Sequence, residues 1–297
     1  MGCKICGNEL VNENPNLCKK HFIKYYENKV KYNIEENNLI SKNDKIVVAT
    51  SGGKDSMAAT HVLNKWYDID LLFINEGISG YREHTKKALK EYSKKHDINL
   101  IEKNFKDEVG LPLDEITDLF NDIPCSMCGI LRRYLLNKYS KDYDVIITGH
   151  NADDEAQTVL MNMFKNQSHL ITRSGPKTGL KEHKKFTKKV KPLYYCRERE
   201  NMLYVVLHEL NIPFIECPYA VHSFRKTVSE SILKLDSYQD RKDLIYSLIE
   251  IPNISKKNYQ LTDKEIGLCN SCNMPSERKI CRVCELKRKI NDKKTEK

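Results

Sequence analysis

The sequence holds no apolar run approaching the roughly 18 to 20 residues that a membrane-spanning helix requires. Its opening residues, MGCKICGNEL, also lack the apolar core of a secretory signal. Both absences point to a cytoplasmic chain without a membrane partner. No internal repeat occurs beyond two short cysteine modules near the ends, which excludes a repeat array. The GxxxxGK pattern followed by Ser or Thr is missing too, so a Walker-type phosphate loop is excluded. In a cytosolic setting the eleven cysteines are poor candidates for a disulfide framework, and their spacing argues for metals first.

What is present begins with size and charge. A chain of 297 residues allows one large domain with appendages, or two domains. The net charge of +9 is concentrated. Between Arg173 and Arg199 lie ten cations (Arg173, Lys177, Lys181, Lys184, Lys185, Lys188, Lys189, Lys191, Arg197 and Arg199) against two acids, Glu182 and Glu198. With Phe186, Tyr194 and Tyr195 interleaved, the segment reads as a surface for a polyphosphate such as RNA; a solvated loop is the alternative. Residues 175–189 read as a mobile basic loop.

The most informative stretch is ATSGGKDSMAAT, from Ala49 to Thr60. The apolar run KIVVA before it is short and β-branched, as a buried strand should be. From Asp55 onward, Met57, Ala58, Val62, Leu63 and Trp66 recur at roughly helical spacing. The glycines therefore sit in a strand-to-helix turn. Unpaired amides and the helix dipole make such a turn an anion site.

The same alternation continues to about residue 217. Strands are expected in IDLLFIN, INLIEKNF, YDVIITGH and IPFIE, with helices at 55–66, around 81–96, at 125–138 and at 152–165. That rhythm predicts an α/β fold with a doubly wound parallel sheet. The segment from 225 to about 250 reads as helical. YDVIITGH repeats the opening pattern, running into Gly149 and then a helix that starts with Asn151, Asp153, Asp154 and Glu155. Acids there are ordinary helix caps, but at a binding edge one of them can meet a ligand.

The cysteines sort into three sets. Cys3, Cys6, Cys18 and His21 form CxxC followed by CxxH; Cys269, Cys272, Cys281 and Cys284 form CxxC followed by CxxC. Each is a complete tetrahedral ligand set, so two structural zinc ions are expected in zinc-ribbon-like modules. The domain division that follows is residues 1–30, 31–250 and 251–297. The third set is incomplete: Cys125 and Cys128 in PCSMCGILRR, with Cys196 and Cys217 as lone candidates. Three ligands leave a metal one open position, as catalysis needs. Cys217 is the better third ligand, because it follows the expected strand IPFIE, whose loop should reach the edge where the glycine turn lies.

SGGKDS resembles the PP-loop of the ATP pyrophosphatase superfamily. Together with PCSMCGILRR, TGHNADDEAQT, Cys217 and the flanking cysteine modules, it resembles the cluster-dependent tRNA 2-thiouridine synthetases over nearly the whole chain. The resemblance implies that Ser51, Gly52, Gly53, Lys54, Asp55 and Ser56 meet the pyrophosphate of ATP, with Asp55 a magnesium contact. Ala49 and Ile74 would face the adenosine, and Gly149 would close the pocket. Cys125, Cys128 and Cys217 would hold a 4Fe-4S cluster, while Arg132 and Asp154 would lie close to ATP and the target base. The implied reaction is ATP-dependent adenylation of a tRNA uridine at O2, then sulfur transfer giving 2-thiouridine. Its sulfur donor would be sulfide or a thiocarboxylated ubiquitin-like carrier, and a homodimer is expected.

The wobble uridine is the expected target, on the resemblance that Arg132 carries, with the T-loop uridine as the alternative because His21 resembles the subgroup that acts there. Three other readings compete. One is a cluster-free persulfide and disulfide sulfurtransferase. Another is a PP-loop enzyme that attaches an amine or uses a small acid. The third is a non-catalytic RNA-binding subunit.

Overall fold

In four of the strands the apolar side chains alternate between two faces, and that alternation builds two cores on one sheet. The computed structural model describes residues 2–120, 124–178, 187–235, 237–258 and 266–295. Strands β1 (Ile46–Thr50), β2 (Ile69–Asn75), β3 (Leu100–Asn104) and β4 (Val145–Thr148) are mutually parallel. One face carries Ile46, Val48, Leu71, Phe73, Val145 and Ile147; the other carries Val47, Leu72, Ile74 and Ile146. Val47, Val48, Leu71, Leu72, Ile146 and Ile147 are wholly buried, each stabilising the fold by about 1.5 to 3 kcal/mol.

Helices cover both faces. In chain order they are α1 (Lys19–Glu36), α2 (Lys54–Leu63), α3 (Arg82–His96), α4 (Phe105–Val109), α5 (Leu113–Phe120), α6 (Pro124–Tyr139), α7 (Ala152–Phe164), α8 (Ser168–Ile171) and α9 (Glu198–Leu207). A 3-10 turn, Pro218–His222, leads to α10 (Phe224–Leu233) and α11 (Tyr238–Asn258). The helical tail is thus two helices, and these pack on α7 around Val228, Ile232, Ile245 and Ile249. The expected domain breaks at 30 and 250 fall inside α1 and α11.

The sheet order is β3-β2-β1-β4-β6-β5, with β5 (Lys177–Thr178) antiparallel to β6 (Lys188–Val190). Here the sequence reading needs two corrections. IPFIE is irregular, and the fifth parallel strand is β6, which pairs Lys188 with Val145 and Val190 with Ile147. Pro213 offers no N–H to a ladder, and Phe214 and Ile215 remain exposed. Lys177, Thr178, Lys188 and Lys189 therefore belong to the sheet and not to a mobile loop. Lys181, Lys184, Lys185 and Phe186 lie outside the described residues.

The two cysteine modules cap opposite faces. Leu17, Cys18 and Phe22 join the first core, so α1 leaves the N-terminal module as part of the main body. After the strands β7 (Gly267–Leu268) and β8 (Pro275–Ser276), helix α12 (Arg282–Thr295) sends Val283, Leu286 and Ile290 into the second core. Among the described residues no helix is long and apolar enough to cross a membrane.

Candidate functional site

Strand order reverses at β1, whose two neighbours are β2 and β4. In open parallel sheets the crevice beyond such a switch point is where ligands bind. A cavity of about 330 Å³ occupies it here, lined in part by Ala49, Ser51, Gly53, Asp55, Ser56, Ile74, Arg132, Gly149 and Asp154. Nine expected site residues thus meet at one cavity. Gly52 forms the turn below it with φ +75°, and a Cβ there would lie 2.9 Å from Thr85. Gly149 lets β4 approach the start of α2, since a Cβ would lie 2.7 Å from the Ser56 amide nitrogen. Ser56 braces the loop: its Oγ accepts from Ser51 N–H at 3.2 Å and donates to Gly53 O at 2.9 Å.

Asp55, in the first turn of α2, is held from three sides. Its Oδ1 accepts from Asn151 Nδ2 at 3.0 Å and Asn201 Nδ2 at 2.8 Å, and its Oδ2 accepts from Lys54 Nζ at 3.0 Å. Lys54 also reaches Glu198 at 2.7 Å. The lysine is thereby turned toward two carboxylates and does not line the cavity. Asn201 is wholly buried, and its Oδ1 accepts the Tyr26 hydroxyl at 2.7 Å. Neither Asn201 nor Tyr26 was expected at this site.

On the opposite wall stands Glu76, just past β2 and completely buried. Arg82 donates to it twice, through Nε at 2.5 Å and Nη2 at 2.7 Å, and Arg132 Nη2 donates to Oε1. Burial opposes the charge, but the two guanidiniums hold the carboxyl below its ordinary range. Arg82 Nη1 also donates to Ser51 O at 3.1 Å, and Arg132 Nη2 to Cys128 Sγ at 3.5 Å. One carboxylate therefore ties the glycine turn to the cysteine helix. Sequence reasoning passed over Glu76 and Arg82, although NEGISGYR sets an acid and an arginine around two glycines directly after a strand.

Cys125 and Cys128 lie on α6, and Cys217 precedes the 3-10 turn. Cys125 Sγ lies 3.6 Å from Tyr219 O, which brings the turn after Cys217 against the start of α6. Burial pushes the Cys128 thiol up to about 11 despite Arg132, and burial with Cys125 nearby also raises that of Cys217. These three sulfurs are not gathered as tightly as a single ion requires, unlike the two terminal sets. Two thiols on α6 and a third just before the turn that touches it are the donor type that an iron–sulfur cluster takes. Cys196 stays buried in the first core with its thiol raised by burial, an internal residue.

The acids that open α7 divide their roles. Asp153 accepts a forked pair from Arg197, Nε at 3.0 Å and Nη2 at 3.0 Å. Glu155 pairs with Lys191 at 2.7 Å in a buried site. Asp154 completes a capping box with Asn151 and still lines the cavity, its carboxyl pushed up by burial against the pull of Arg225. The basic segment is corrected accordingly: Lys191 and Arg197 neutralise internal acids. Desolvation lowers Lys189 to about 8, and Lys188 Nζ donates to Asn38 O at 2.9 Å.

At the ends of the chain the expected ligand sets are formed. In each, the ligand atoms lie within 4.8 Å of one another. His21 Nδ1 is 3.3 to 3.4 Å from the sulfurs of Cys3, Cys6 and Cys18. Burial opposes the thiolates of Cys3 and Cys269, yet backbone amides bring both down to about 6, as metal ligation favours. Both donor sets fit a tetrahedral ion with no open position.

Residues 24–218 match the PP-loop domain family. The chain is 36% identical to the tRNA-5-methyluridine(54) 2-sulfurtransferase of Pyrococcus horikoshii, an alignment covering 99% of this chain and 96% of that one. It is 33% identical to the Thermotoga maritima protein of the same name, over 99% and 98% of the two chains. Among solved structures it resembles the U34-tRNA thiolase NcsA from Methanococcus maripaludis with its 4Fe-4S cluster, at TM-score 0.83 and 30% identity over 98% and 96% of the chains. With the phosphate turn, the switch-point cavity and both flanking cysteine modules in place, the chain belongs to the PP-loop family, in the group of tRNA 2-sulfurtransferases and thiolases that these relatives represent.

Proposed function

We propose that the protein is a cytoplasmic tRNA-uridine 2-sulfurtransferase that consumes ATP and releases AMP and pyrophosphate. The single observation that carries this reading is Arg132, which lines the phosphate cavity and donates to Cys128. A site for activating the base and a site for delivering sulfur thus share one guanidinium. A uracil O2 is a poor leaving group, so it must first be adenylated. The amides of Ser51, Gly52 and Gly53, which donate to neighbouring hydroxyls at 3.2 to 3.3 Å, would donate instead to the departing phosphates, and Asp55 would hold magnesium beside them. Lys54, held between Asp55 at 3.0 Å and Glu198 at 2.7 Å, would supply positive charge beside the phosphates. Arg132 and Asp154 then orient the adenylated base, and sulfur replaces the adenylate at C2 without net redox change. Cys125, Cys128 and Cys217 would hold a 4Fe-4S cluster, whose one iron without a cysteine ligand would supply a place for sulfide. Two zinc ions would fill the terminal ligand sets, and the donor would be sulfide or a thiocarboxylated carrier protein.

Of the two target uridines, position 54 in the T-loop is favoured by His21 as the fourth N-terminal ligand and by the names of the relatives at 36% and 33% identity. Arg132 supports the second reading, the wobble uridine, as does the NcsA structure. The test is anaerobic: iron-loaded protein, tRNA, Mg-ATP and sulfide, then nuclease digestion and mass spectrometry of the fragments. Thiolation in a T-loop fragment supports the first reading and in an anticodon fragment the second. No thiolated base, from protein that carries iron and binds ATP, overturns the reaction.

A further inference from the structure

Lys191 and Arg197 are engaged internally, and among the described residues another candidate surface for the nucleic acid stands out. It lies at the far end of α7. Residues 163–169 form an unbroken exposed stretch, with Phe164 68% exposed and Met163 45%. Phe224, at the start of α10, is 39% exposed and meets Phe164 edge to face, ring centroids 6.2 Å apart. Lys165 Nζ stands 5.1 Å from the centroid of Phe224. Other apolar side chains are exposed too, Phe214 and Tyr32 among them, but here two aromatic rings touch each other with a cation beside them, which marks a contact surface.

The ledge is fixed to the cavity by rigid parts. Arg225, next to Phe224, donates through Nη1 to Asp154 O and Gln157 Oε1, both at 3.1 Å, and through Nη2 to Thr158 Oγ1 at 3.0 Å. From Asp154 to Phe164 is about 15 Å along one helix, the reach of a few nucleotides. Residues 161–176 and 217–229 contain no Asp or Glu; Arg225 pairs with Asp154 at 3.6 Å and Arg173 with Glu277 at 3.9 Å, so Lys165 is the cation that stands beside the rings. On α10 Lys226 and Glu230 stand one turn apart and are both exposed, so that pair is balanced and the ledge draws its charge from Lys165.

We infer that the Phe164–Phe224 ledge is the stacking platform for the unpaired loop bases that flank the target uridine in the tRNA. The inference rests on the tRNA reading above. A base withdrawn from its loop for chemistry leaves its neighbours unstacked, and aromatic rings next to cations are how proteins hold such bases without reading their sequence. A second copy of the chain is a poorer occupant. Three partly exposed side chains, worth about 150 to 250 Å² for each bare aromatic ring, fall well short of the roughly 800 Å² per partner in a stable protein interface.

The test compares wild type with Phe164→Ala, Phe224→Ala and the double variant. It measures affinity for full-length unmodified tRNA, affinity for Mg-ATP, and sedimentation. Each single substitution should weaken tRNA binding about tenfold and leave ATP affinity and sedimentation unchanged. Phe164→Trp should retain wild-type affinity where Phe164→Leu does not, since stacking needs a π face. Lys165→Gln should flatten the salt dependence of binding by about one phosphate contact, whereas the phenylalanine variants keep the wild-type slope. Equal tRNA affinity in wild type and double variant overturns the ledge alone. So does a sedimentation shift to a smaller species, which would make the ledge a contact between copies. A wild-type protein that binds no tRNA overturns the proposed function and the ledge with it.

Discussion

Asn201 Nδ2 lies 2.8 Å from Asp55 Oδ1, and the same side chain accepts the buried hydroxyl of Tyr26 at 2.7 Å. A residue of α9 thereby joins the N-terminal helix to the acid at the head of the phosphate loop. Asn151 also donates to Oδ1, so Oδ2, which accepts only from Lys54 among these groups, is the oxygen that the proposed magnesium would take. Replacing Asn201 by Ala should destabilise the fold by about 1 to 3 kcal/mol, because the Tyr26 hydroxyl is then buried without an acceptor. Tyr26→Phe should cost less. In urea unfolding and ATP titrations at several magnesium concentrations, Asn201→Ala should also raise the magnesium requirement. An unchanged requirement would limit Asn201 to a packing role.

Glu76 is the second point of leverage. Converting it to Gln removes a buried anion from between two guanidiniums and should cost about 3 to 5 kcal/mol. The pH dependence follows from the direction of its shift. A carboxyl lowered by folding binds fewer protons folded than unfolded. Its contribution is therefore complete above the ordinary value of 4.5 and is lost as pH falls through the lower folded value. Wild-type stability should drop steeply below that range, and Glu76→Gln should show a shallower acid limb in unfolding curves taken from pH 7 to 3. Parallel limbs would mean that the carboxyl is already protonated in the fold.

How much of this was legible in the sequence depends on which physical signal each part left. β1, β2 and β4 were legible as apolar runs, and the terminal ligand sets by spacing alone. β6 was hidden because two of its three residues are lysines and only Val190 faces the core. IPFIE misled because an apolar run containing Pro213 can lie as an exposed strap. Cys217 reaches the start of α6 all the same, by way of the 3-10 turn that follows it. Glu76, Arg82 and Asn201 left no periodic trace. Their roles arise where four separate elements meet at one edge of the sheet, and no local pattern encodes that meeting. In the basic segment a count of cations overstated the free charge by two, since Lys191 and Arg197 meet Glu155 and Asp153 inside the fold.

The cysteines can be separated by what they hold. Cys217→Ala should lose iron after anaerobic reconstitution and abolish thiolation while keeping ATP affinity, because Cys217 does not line the phosphate cavity. Cys196→Ala should retain iron, its thiol being sealed in the first core. Its cost is one small packing defect, within about 1 kcal/mol. Iron analysis and ATP titration of both variants decide the matter. Iron retained by Cys217→Ala would return the site to persulfide chemistry.

The two terminal modules should fail in different ways, because they cap opposite faces of the sheet. Removing one thiolate from a tetrahedral structural site abolishes most of its metal affinity, and the module loosens with it. Cys3→Ser should lower bound zinc from two ions to one and loosen the start of α1 at Lys19, two turns before Tyr26. Its effect should therefore pass through Asn201 to Asp55 and weaken Mg-ATP binding. Cys272→Ser should lose one zinc as well, but α12 packs with Val283 and Leu286 in the core that holds Met127 and Leu131 of α6. The consequence there should be reduced iron retention by Cys125 and Cys128, with ATP affinity spared. Zinc and iron analysis with ATP titration on each variant separates the two effects. Equal losses of ATP affinity and iron in both would mean that the modules stabilise the whole chain without distinction.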